Sequence, residues 1–215
     1  VILDKSSFGL GDRRALALAE SLVTLPDMDE LDLSDNRLTD ISLVHLVEAL
    51  HVRLRPPTSA AALRQDRQHH QPEEDAATCE MEGAAGGAYT GDGEGGAGAP
   101  PHATLRLLDL CRNRVGIGCC RSLARLVSSG VLVVLRLSDC GMGNGHLEAL
   151  AGGVCPHVST LDLSKNQIKG LTGGAHLAQL CRGWTALRVL LVAWNSLGER
   201  GAIKLADTLA DGGGG

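Results

Sequence analysis

The sequence has few aromatic side chains, no excess of basic residues and no long apolar run. Aromatic residues make up 2% of the 215 residues, so the core must be built from Leu, Val, Ile and Ala. Lys and Arg number 20 against 25 Asp and Glu, a net charge of −5, which argues against binding to a nucleic-acid backbone. No apolar run approaches the roughly 18 residues of a membrane-spanning helix. We therefore expect neither nucleic acid nor a membrane as a partner.

Motifs for catalysis and for cofactor binding are also missing. The chain has no Gly-x-Ser-x-Gly, and the glycine-rich segment 91–98 lacks the Lys-Ser/Thr of a phosphate-binding loop. The loop 141–145 does not have the spacing of a dinucleotide fingerprint. Cys155 and His157 lack a second Cys/His pair at the spacing of a metal site. The sequence thus predicts no catalytic residues, no metal and no cofactor, and hence a protein that is not an enzyme.

The cysteines bear on the cellular compartment. There are seven, an odd number, and the chain shows neither a signal peptide nor an Asn-x-Ser/Thr acceptor. These features favour a reducing compartment, so we expect a cytoplasmic protein and leave the nucleus open. Because the chain begins at Val1 rather than Met, a trimmed start and a lost signal peptide also stay open.

What the chain does have is an internal repeat. The pattern apolar-x-x-apolar-x-apolar-x-x-Asn-x-apolar occurs five times, and a degenerate first copy precedes these five. Successive copies are 28, 77, 27, 26 and 29 residues apart. The residues in the Asn position are Phe8 (degenerate copy), Asn36, Asn113, Cys140, Asn166 and Asn195.

A second, helical period follows each copy of the pattern. After the first copy come Ala15, Leu18, Ala19 and Leu22, and after the last come Ala202, Leu205, Ala206 and Leu209. This spacing places four residues on one stripe of a helix. The sequence therefore predicts a strand–turn–helix unit that buries its apolar face by stacking on its neighbours. We expect the Asn side chains to bond backbone groups of neighbouring turns, with Cys140 a weaker substitute.

These residues resemble leucine-rich repeats of the ribonuclease-inhibitor type, over residues 1–52 and 105–211. The resemblance implies an α/β solenoid (a horseshoe) with a parallel concave sheet and helices on the convex side. The same repeat type is used by ribonuclease inhibitor, by the Ran GTPase-activating protein, by the sensor ends of nucleotide-binding immune receptors and by cytoskeletal proteins. The resemblance implies a non-catalytic scaffold that binds a protein partner. The pattern identifies the repeat type, but not which protein of that type this chain is.

The long interval marks an insertion. Five of the seven prolines fall within residues 53–104, and a Gly/Ala/acidic stretch follows them, so we expect a disordered segment between repeats 1–2 (1–52) and repeats 3–6 (105–211). Three interpretations of this segment stay open: an insertion without a function of its own, a faulty gene model, and a regulatory or binding tail. Residues 212–215 are a glycine tail. The array also looks cut at both ends, since solenoids need capped ends, so we expect a longer natural protein or frayed end repeats.

The outward residues of the strands and their following turns are the candidate binding site. The residues after the inward leucines are mostly acidic, and strands about 4.8 Å apart would bring these carboxylates close together. Two interpretations stay open: a docking face for a partner that carries Lys or Arg, and a solvated face whose Leu-Asp-Leu-Ser pattern is structural. The candidate residues are Asp32, Ser34, Asp35, Asp109, Arg112, Arg136, Asp139, Asp162, Lys165 and Trp194.

Trp194 is the sharpest single candidate, whereas no local motif marks any of the loop arginines as catalytic. An exposed Trp is a common interface anchor, although Trp194 could instead pack against a further repeat. Resemblance to the Ran activator implies action through Asn or Arg on strand-to-helix loops, where Arg37, Arg112 and Arg114 lie. A GTPase-activating protein for a small Ran-like GTPase is therefore an alternative function. A fragment of an immune receptor, or of a cytoskeletal or axonemal scaffold, is a further one.

Overall fold

The computed structural model describes residues 1–25, 27–54, 105–129 and 132–211. Within them, six three-residue strands form one parallel sheet in the order β1 to β6, and a helix follows each strand. This confirms the predicted alternation of strand and helix. The elements are β1 (Ile2–Asp4), α1 (Gly11–Leu22), β2 (Glu30–Asp32), α2 (Asp40–Leu54), β3 (Leu107–Asp109), α3 (Ile117–Ser129), β4 (Val134–Arg136), α4 (Asn144–Ala151), β5 (Thr160–Asp162), α5 (Gly170–Gly183), β6 (Val189–Leu191) and α6 (Gly198–Asp211).

The core lies between the sheet and the helices, as the apolar pattern predicts. The middle residues of the strands are paired in register, so Leu31, Leu108, Leu135 and Leu161 form one row with no exposed surface. Consecutive strands are neighbours in the sheet, in the order β1 to β6, and among the described residues a helix follows each strand. The leucines are therefore shared between adjacent repeats, which is why one repeat alone could not bury them.

The predicted helical stripe is confirmed in α1 and is wrong in α6. Ala15, Ala19 and Leu22 are buried in α1. In α6, Ala202 and Leu209 are exposed, whereas Gly201 and Thr208 are buried. Gly201 lies on the side of α6 that packs against α5, whereas Ala202 and Leu209 lie on a side that no described element covers.

Helix α2 extends past the second predicted repeat. Helix α2 continues to Leu54, two residues beyond the end of the second predicted repeat. Its last turn is held by Arg53, whose Nη1 donates to the Leu22 carbonyl oxygen at 2.7 Å. Residues 55–104 and 212–215 lie outside the described residues, so the predictions of a disordered insertion and of a glycine tail stay predictions.

The asparagines connect neighbouring turns, as predicted. The Asn113 Oδ1 accepts from the backbone N–H of Asn36 at 3.2 Å and of Leu38 at 2.9 Å. Its Nδ2 donates to the carbonyl oxygens of Leu33 at 2.9 Å and Leu110 at 3.1 Å. Both the oxygen and the nitrogen of the side-chain amide therefore bond the preceding repeat, and the nitrogen also bonds the repeat of Asn113 itself. Equivalent bonds are made by Asn36, Asn166 and Asn195.

The two non-asparagine slots behave differently. The Cys140 Sγ donates to the Leu110 carbonyl at 3.3 Å, and the Val115 N–H goes to the Cys140 backbone carbonyl at 3.3 Å instead of to a side chain. The bonding at this junction is weaker, as predicted, because a thiol is a poor donor and acceptor. Phe8 is 63% exposed, and its ring lies 5.4 Å from the Lys5 ammonium rather than entering the turn.

A second set of bonds, which the sequence analysis missed, joins the helix N-termini of neighbouring repeats. Asp12 of α1 accepts from the N–H of Thr39 at 2.8 Å, just before α2. Asp40 of α2 accepts from the N–H of Cys119 at 2.7 Å, in the first turn of α3. Asn144 of α4 accepts from the N–H of Lys169 at 3.0 Å, just before α5. Each side chain therefore accepts from an amide at the start of the next helix, where backbone N–H groups have no acceptor within the helix itself.

The junction between α3 and α4 lacks this cap, because the equivalent position is Ile117. The Ile117 Cδ1 lies 3.8 Å from where a Cβ on Gly145 would stand, next to the first turn of α4. The equivalent amides have local acceptors instead: the Gly143 N–H donates to His146 Nδ1 at 3.1 Å, and the His146 N–H donates to the Gly143 carbonyl oxygen at 3.1 Å. Ile117→Asp is therefore expected to raise the free energy of unfolding by at most about 1 kcal/mol, through attraction of the carboxylate to the N-terminal end of the α4 dipole. Urea unfolding at neutral pH measures this, with Ile117→Ala as the control. Equal stability of the two variants would contradict this attraction.

Candidate protein-interaction surface

The open face of the sheet carries two outward residues from each strand. The third strand position was predicted to face outward, and it holds Asp32, Asp109, Arg136 and Asp162. The first position also faces outward, and the sequence analysis missed it. Alternation of side chains along a strand could have found it, because residues two apart share a face. This first row is Ile2, Glu30, Leu107, Val134, Thr160 and Val189.

The acidic row has a structural use. The Asp32 carboxylate accepts from the N–H of Ser34 at 2.8 Å, and the Asp162 carboxylate accepts from the N–H of Ser164 at 2.8 Å. Asp4 and Asp109 make the same bond. At Asp4 the backbone N–H of Ser6 lowers the pKa of the carboxyl below its usual value. These carboxylates therefore fix the turn at the end of the strand.

The predicted crowding of carboxylates is relieved from within the sheet. Asp109 is 6% exposed, and its Oδ2 lies 3.4 Å from Nη1 of Arg136 on the next strand. Arg136 pairs in register with both Asp109 and Asp162, so a guanidinium separates two acids of the row. In this strand an arginine, Arg136, stands where the other strands have an aspartate, and it cannot accept a hydrogen bond. The Ser138 N–H therefore donates to the Cys111 Sγ at 3.3 Å instead. Within the described residues, Asp109 is the one member of the acidic row that forms an ion pair.

Six predicted candidates meet in one depression on the sheet face, of about 510 Å³. Ser34 contributes little to it, since it is 8% exposed. Arg112, Asp139 and Lys165 stand exposed around it. The candidates in this depression are Ser34, Asp109, Arg112, Asp139, Asp162 and Lys165.

The residue just before each Asn position has a left-handed backbone. In all six turns φ lies between 51° and 58°, although no residue there is glycine. This conformation turns the chain away from the sheet and leaves each of these side chains exposed. They are therefore available to a partner on a backbone that the hydrogen bonds hold fixed. The six are Ser7, Asp35, Arg112, Asp139, Lys165 and Trp194.

The three predicted loop arginines line one groove of about 640 Å³ at the strand ends, which we call the strand-end groove. Arg37, Arg112 and Arg114 are all exposed. Within the residues that the structure describes, none of the three guanidinium groups is close enough to a carboxylate to form an ion pair. The other lining residues are Asp35, Thr39, Asn113, Asp139, Cys140 and Gly141.

The last strand makes the sheet face apolar at one end. Trp194 is 81% exposed, and Leu191 and Val189 on β6 are 45% and 43% exposed. Trp184, by contrast, is 1% exposed and belongs to the core. The described sheet therefore runs from charged turns to an apolar end.

The buried thiols pack as small apolar groups. Burial raises the pKa of Cys120 and of Cys140 to about 12, and it also raises the pKa of Cys111 and Cys119. These thiols are protonated near neutral pH and so are poor nucleophiles. Across the described ranges, no cluster of His, Cys, Asp or Glu has the geometry of a metal site. None of the helices in those ranges has the length and hydropathy needed to cross a bilayer.

Comparison with known proteins agrees with this architecture. Residues 26–47 and 154–171 match the family model described as "Leucine Rich repeat". Each match runs from the approach to a strand into the following helix, β2 to α2 and β5 to α5. A curated relative, "Leucine-rich repeat-containing protein 45" of Gallus gallus, is 33% identical over 94 residues. That alignment covers 42% of this chain and 14% of the relative, so the chain spans a small part of its length.

Together, the stacked strand–helix units and these matches identify the fold as a leucine-rich repeat solenoid. Solenoids of stacked repeats generally present extended surfaces to protein partners. The ribonuclease-inhibitor subclass stays a prediction, based on repeats near 28 residues with a helix in each. The ten candidate residues on the sheet and its turns likewise stay predicted, not demonstrated, binding residues.

Proposed function

We propose that this leucine-rich repeat solenoid is a non-catalytic scaffold that binds a partner protein on the open face of its sheet. The observation that supports this is the row of exposed turn residues on a fixed backbone. Asparagine side chains bond the backbone of adjacent turns, so the backbone that carries the exposed side chains is held in place before a partner arrives. Binding to a preformed surface loses little conformational entropy.

Trp194 is the proposed anchor of that interface. Its indole is exposed beside the apolar residues Leu191 and Val189, and charged turn residues continue along the sheet. A large aromatic side chain surrounded by a polar rim is the usual composition of an interface hot spot. The partner surface is therefore expected to carry an apolar pocket for the indole.

The test is a change of affinity at Trp194. Trp194→Ala is expected to weaken binding of a purified partner by about 2 kcal/mol, or roughly thirtyfold, because an indole seated in a pocket of the partner loses its whole contact area. The partner is first found by cross-linking to the intact chain, and its dissociation constant is then measured by calorimetry. Ile41→Ala is the matched control, since Ile41 is 66% exposed on helix α2. An unchanged affinity for Trp194→Ala would exclude this anchor.

The alternative is a GTPase-activating protein for a Ran-like GTPase. The observation in its favour is that Arg37, Arg112 and Arg114 lie in one groove. An activator supplies an arginine that stabilises charge on the transferred phosphoryl group. Faster GTP hydrolysis in the presence of the chain, lost in Arg112→Ala, would support this alternative. If the chain does not accelerate GTP hydrolysis, this alternative fails and the scaffold function remains.

A further inference from the structure

We infer that the strand-end groove binds an acidic peptide segment of the partner protein, with its Asp or Glu side chains on Arg37, Arg112 and Arg114. This rests on the proposed function and gives the chemistry of the partner. It reverses the charge expected from the sequence, which pointed to a basic partner for the acidic strand residues.

The first reason is which charges are already paired. The acidic strand residues bond backbone amides, and Asp109 also faces Arg136 at 3.4 Å. In the described part of the chain, the guanidinium groups of Arg37, Arg112 and Arg114 have no carboxylate within ion-pair distance. The groove therefore offers positive charge that no described carboxylate pairs with, whereas Asp109, the most buried acid of the strand row, already faces an arginine.

The second reason is the backbone of Arg37. The residue that follows the Asn position has a positive φ in three repeats, and in two of them it is glycine, Gly9 and Gly141. Arg37 adopts the same conformation, with φ at 56°, despite its long side chain. A left-handed backbone is unfavourable for a residue with a Cβ, and such residues concentrate at binding sites. Arg37 thus occupies a position whose backbone conformation is less favourable for arginine than for glycine.

The third reason concerns the kind of anion. Asp35 and Asp139 also line the groove and are exposed. Three guanidinium groups and two carboxylates leave a small positive excess, which would repel a dense polyanion at the two acids. A peptide suits this mixture better, because its carboxylates can pair with the planar arginine groups while its N–H groups or a Lys face the acids. We therefore assign the groove to an acidic peptide rather than to nucleic acid or polyphosphate.

A selection from random peptides tests the assignment. Short random peptides displayed on phage are selected against the full chain, and the enriched sequences are synthesised with a fluorescent label. We expect enriched peptides to be net negative, with two or more Asp or Glu, and their affinity to fall as salt rises. Arg37→Gly is expected to weaken their binding about tenfold while the thermal midpoint stays unchanged, because glycine fits the left-handed backbone.

Further variants separate this groove from other causes. Arg121→Ala removes an exposed arginine on helix α3, outside the groove, and should leave affinity unchanged. Arg112→Lys keeps the charge but loses the two-pronged hydrogen bonding, so its affinity should lie between wild type and Arg37→Gly. The peptides should resist displacement by inorganic phosphate at equal ionic strength.

Several results would overturn the assignment. These are no enriched peptide, enriched peptides that are neutral or basic, full affinity in Arg37→Gly, or displacement by phosphate alone. If peptides or a folded partner bind through Trp194 but not through Arg37, the scaffold function stands and only the groove assignment fails. If purified partner and peptides both fail to bind, the scaffold function fails as well.

Discussion

Replacing Asn166 by alanine is expected to lower the free energy of unfolding by about 3–5 kcal/mol, a large part of the stability of a small domain. The Asn166 Oδ1 accepts from the N–H of Cys140 at 3.1 Å and of Met142 at 3.0 Å. Its Nδ2 donates to the carbonyl oxygens of Leu137 at 2.8 Å and Leu163 at 3.0 Å. Asn166 is 7% exposed, so water could not easily replace these bonds. Urea unfolding followed by circular dichroism measures the loss.

Two matched substitutions show whether the hydrogen bonds cause this loss. Asn195→Ala should have a smaller effect, because Asn195 is half-buried and water can reach the groups it leaves. Cys140→Asn should act in the opposite direction, by about 1–2 kcal/mol, since an amide would shorten the 3.3 Å contact to Leu110 and accept from Val115. If Asn166→Ala were no more damaging than Asn195→Ala, burial would not be the reason the amide matters.

The repeat fold could be predicted from the sequence because the residues that recur along the chain are also the ones that pack in the core and bond neighbouring turns. The leucine spacing fixes which side of a strand is buried, and the Asn position fixes where the chain turns. Even the weakness at Cys140 follows from the chemistry of a thiol. The burial of the helical stripe in α6 could not be predicted, because it depends on which sides of the helix the neighbouring elements cover and not on the pattern of one helix.

The site was predicted less completely. The sequence places Arg37, Arg112 and Arg114 on successive turns, but it does not show that these groups stay unpaired within the described chain. Nor does it show that Asp109 is buried beside Arg136, because that pairing depends on the register of two strands. The outward acidic residues of the strands therefore suggested a basic partner, a prediction that is not tested. Our proposal of an acidic peptide rests on the three arginines of the strand-end groove, which have no carboxylate within ion-pair distance in the described chain.

Gly174→Ala is expected to destabilise the packing of α6 by about 1–3 kcal/mol, although alanine normally favours a helix. A Cβ on Gly174 would lie 2.8 Å from the Cα of Gly201, and a Cβ on Gly201 would lie 2.5 Å from the Gly170 carbonyl oxygen. These neighbours are backbone atoms, so a whole helix would have to move. We expect the amides of α6 to exchange faster with deuterium, together with a lower urea midpoint.

Gly145→Ala provides the matched control for that result. Gly145 also lies in a helix, α4, but the nearest atom to its added Cβ would be the Ile117 Cδ1 at 3.8 Å, an ordinary contact. Without a clash, the helical preference of alanine should prevail and stabilise the protein by about 0.5–1 kcal/mol. The same substitution thus has opposite signs at two helical glycines, because one helix is packed against a neighbouring backbone and the other is not. Stabilisation by both would show that α5 and α6 are free to separate, and that their close approach is not required.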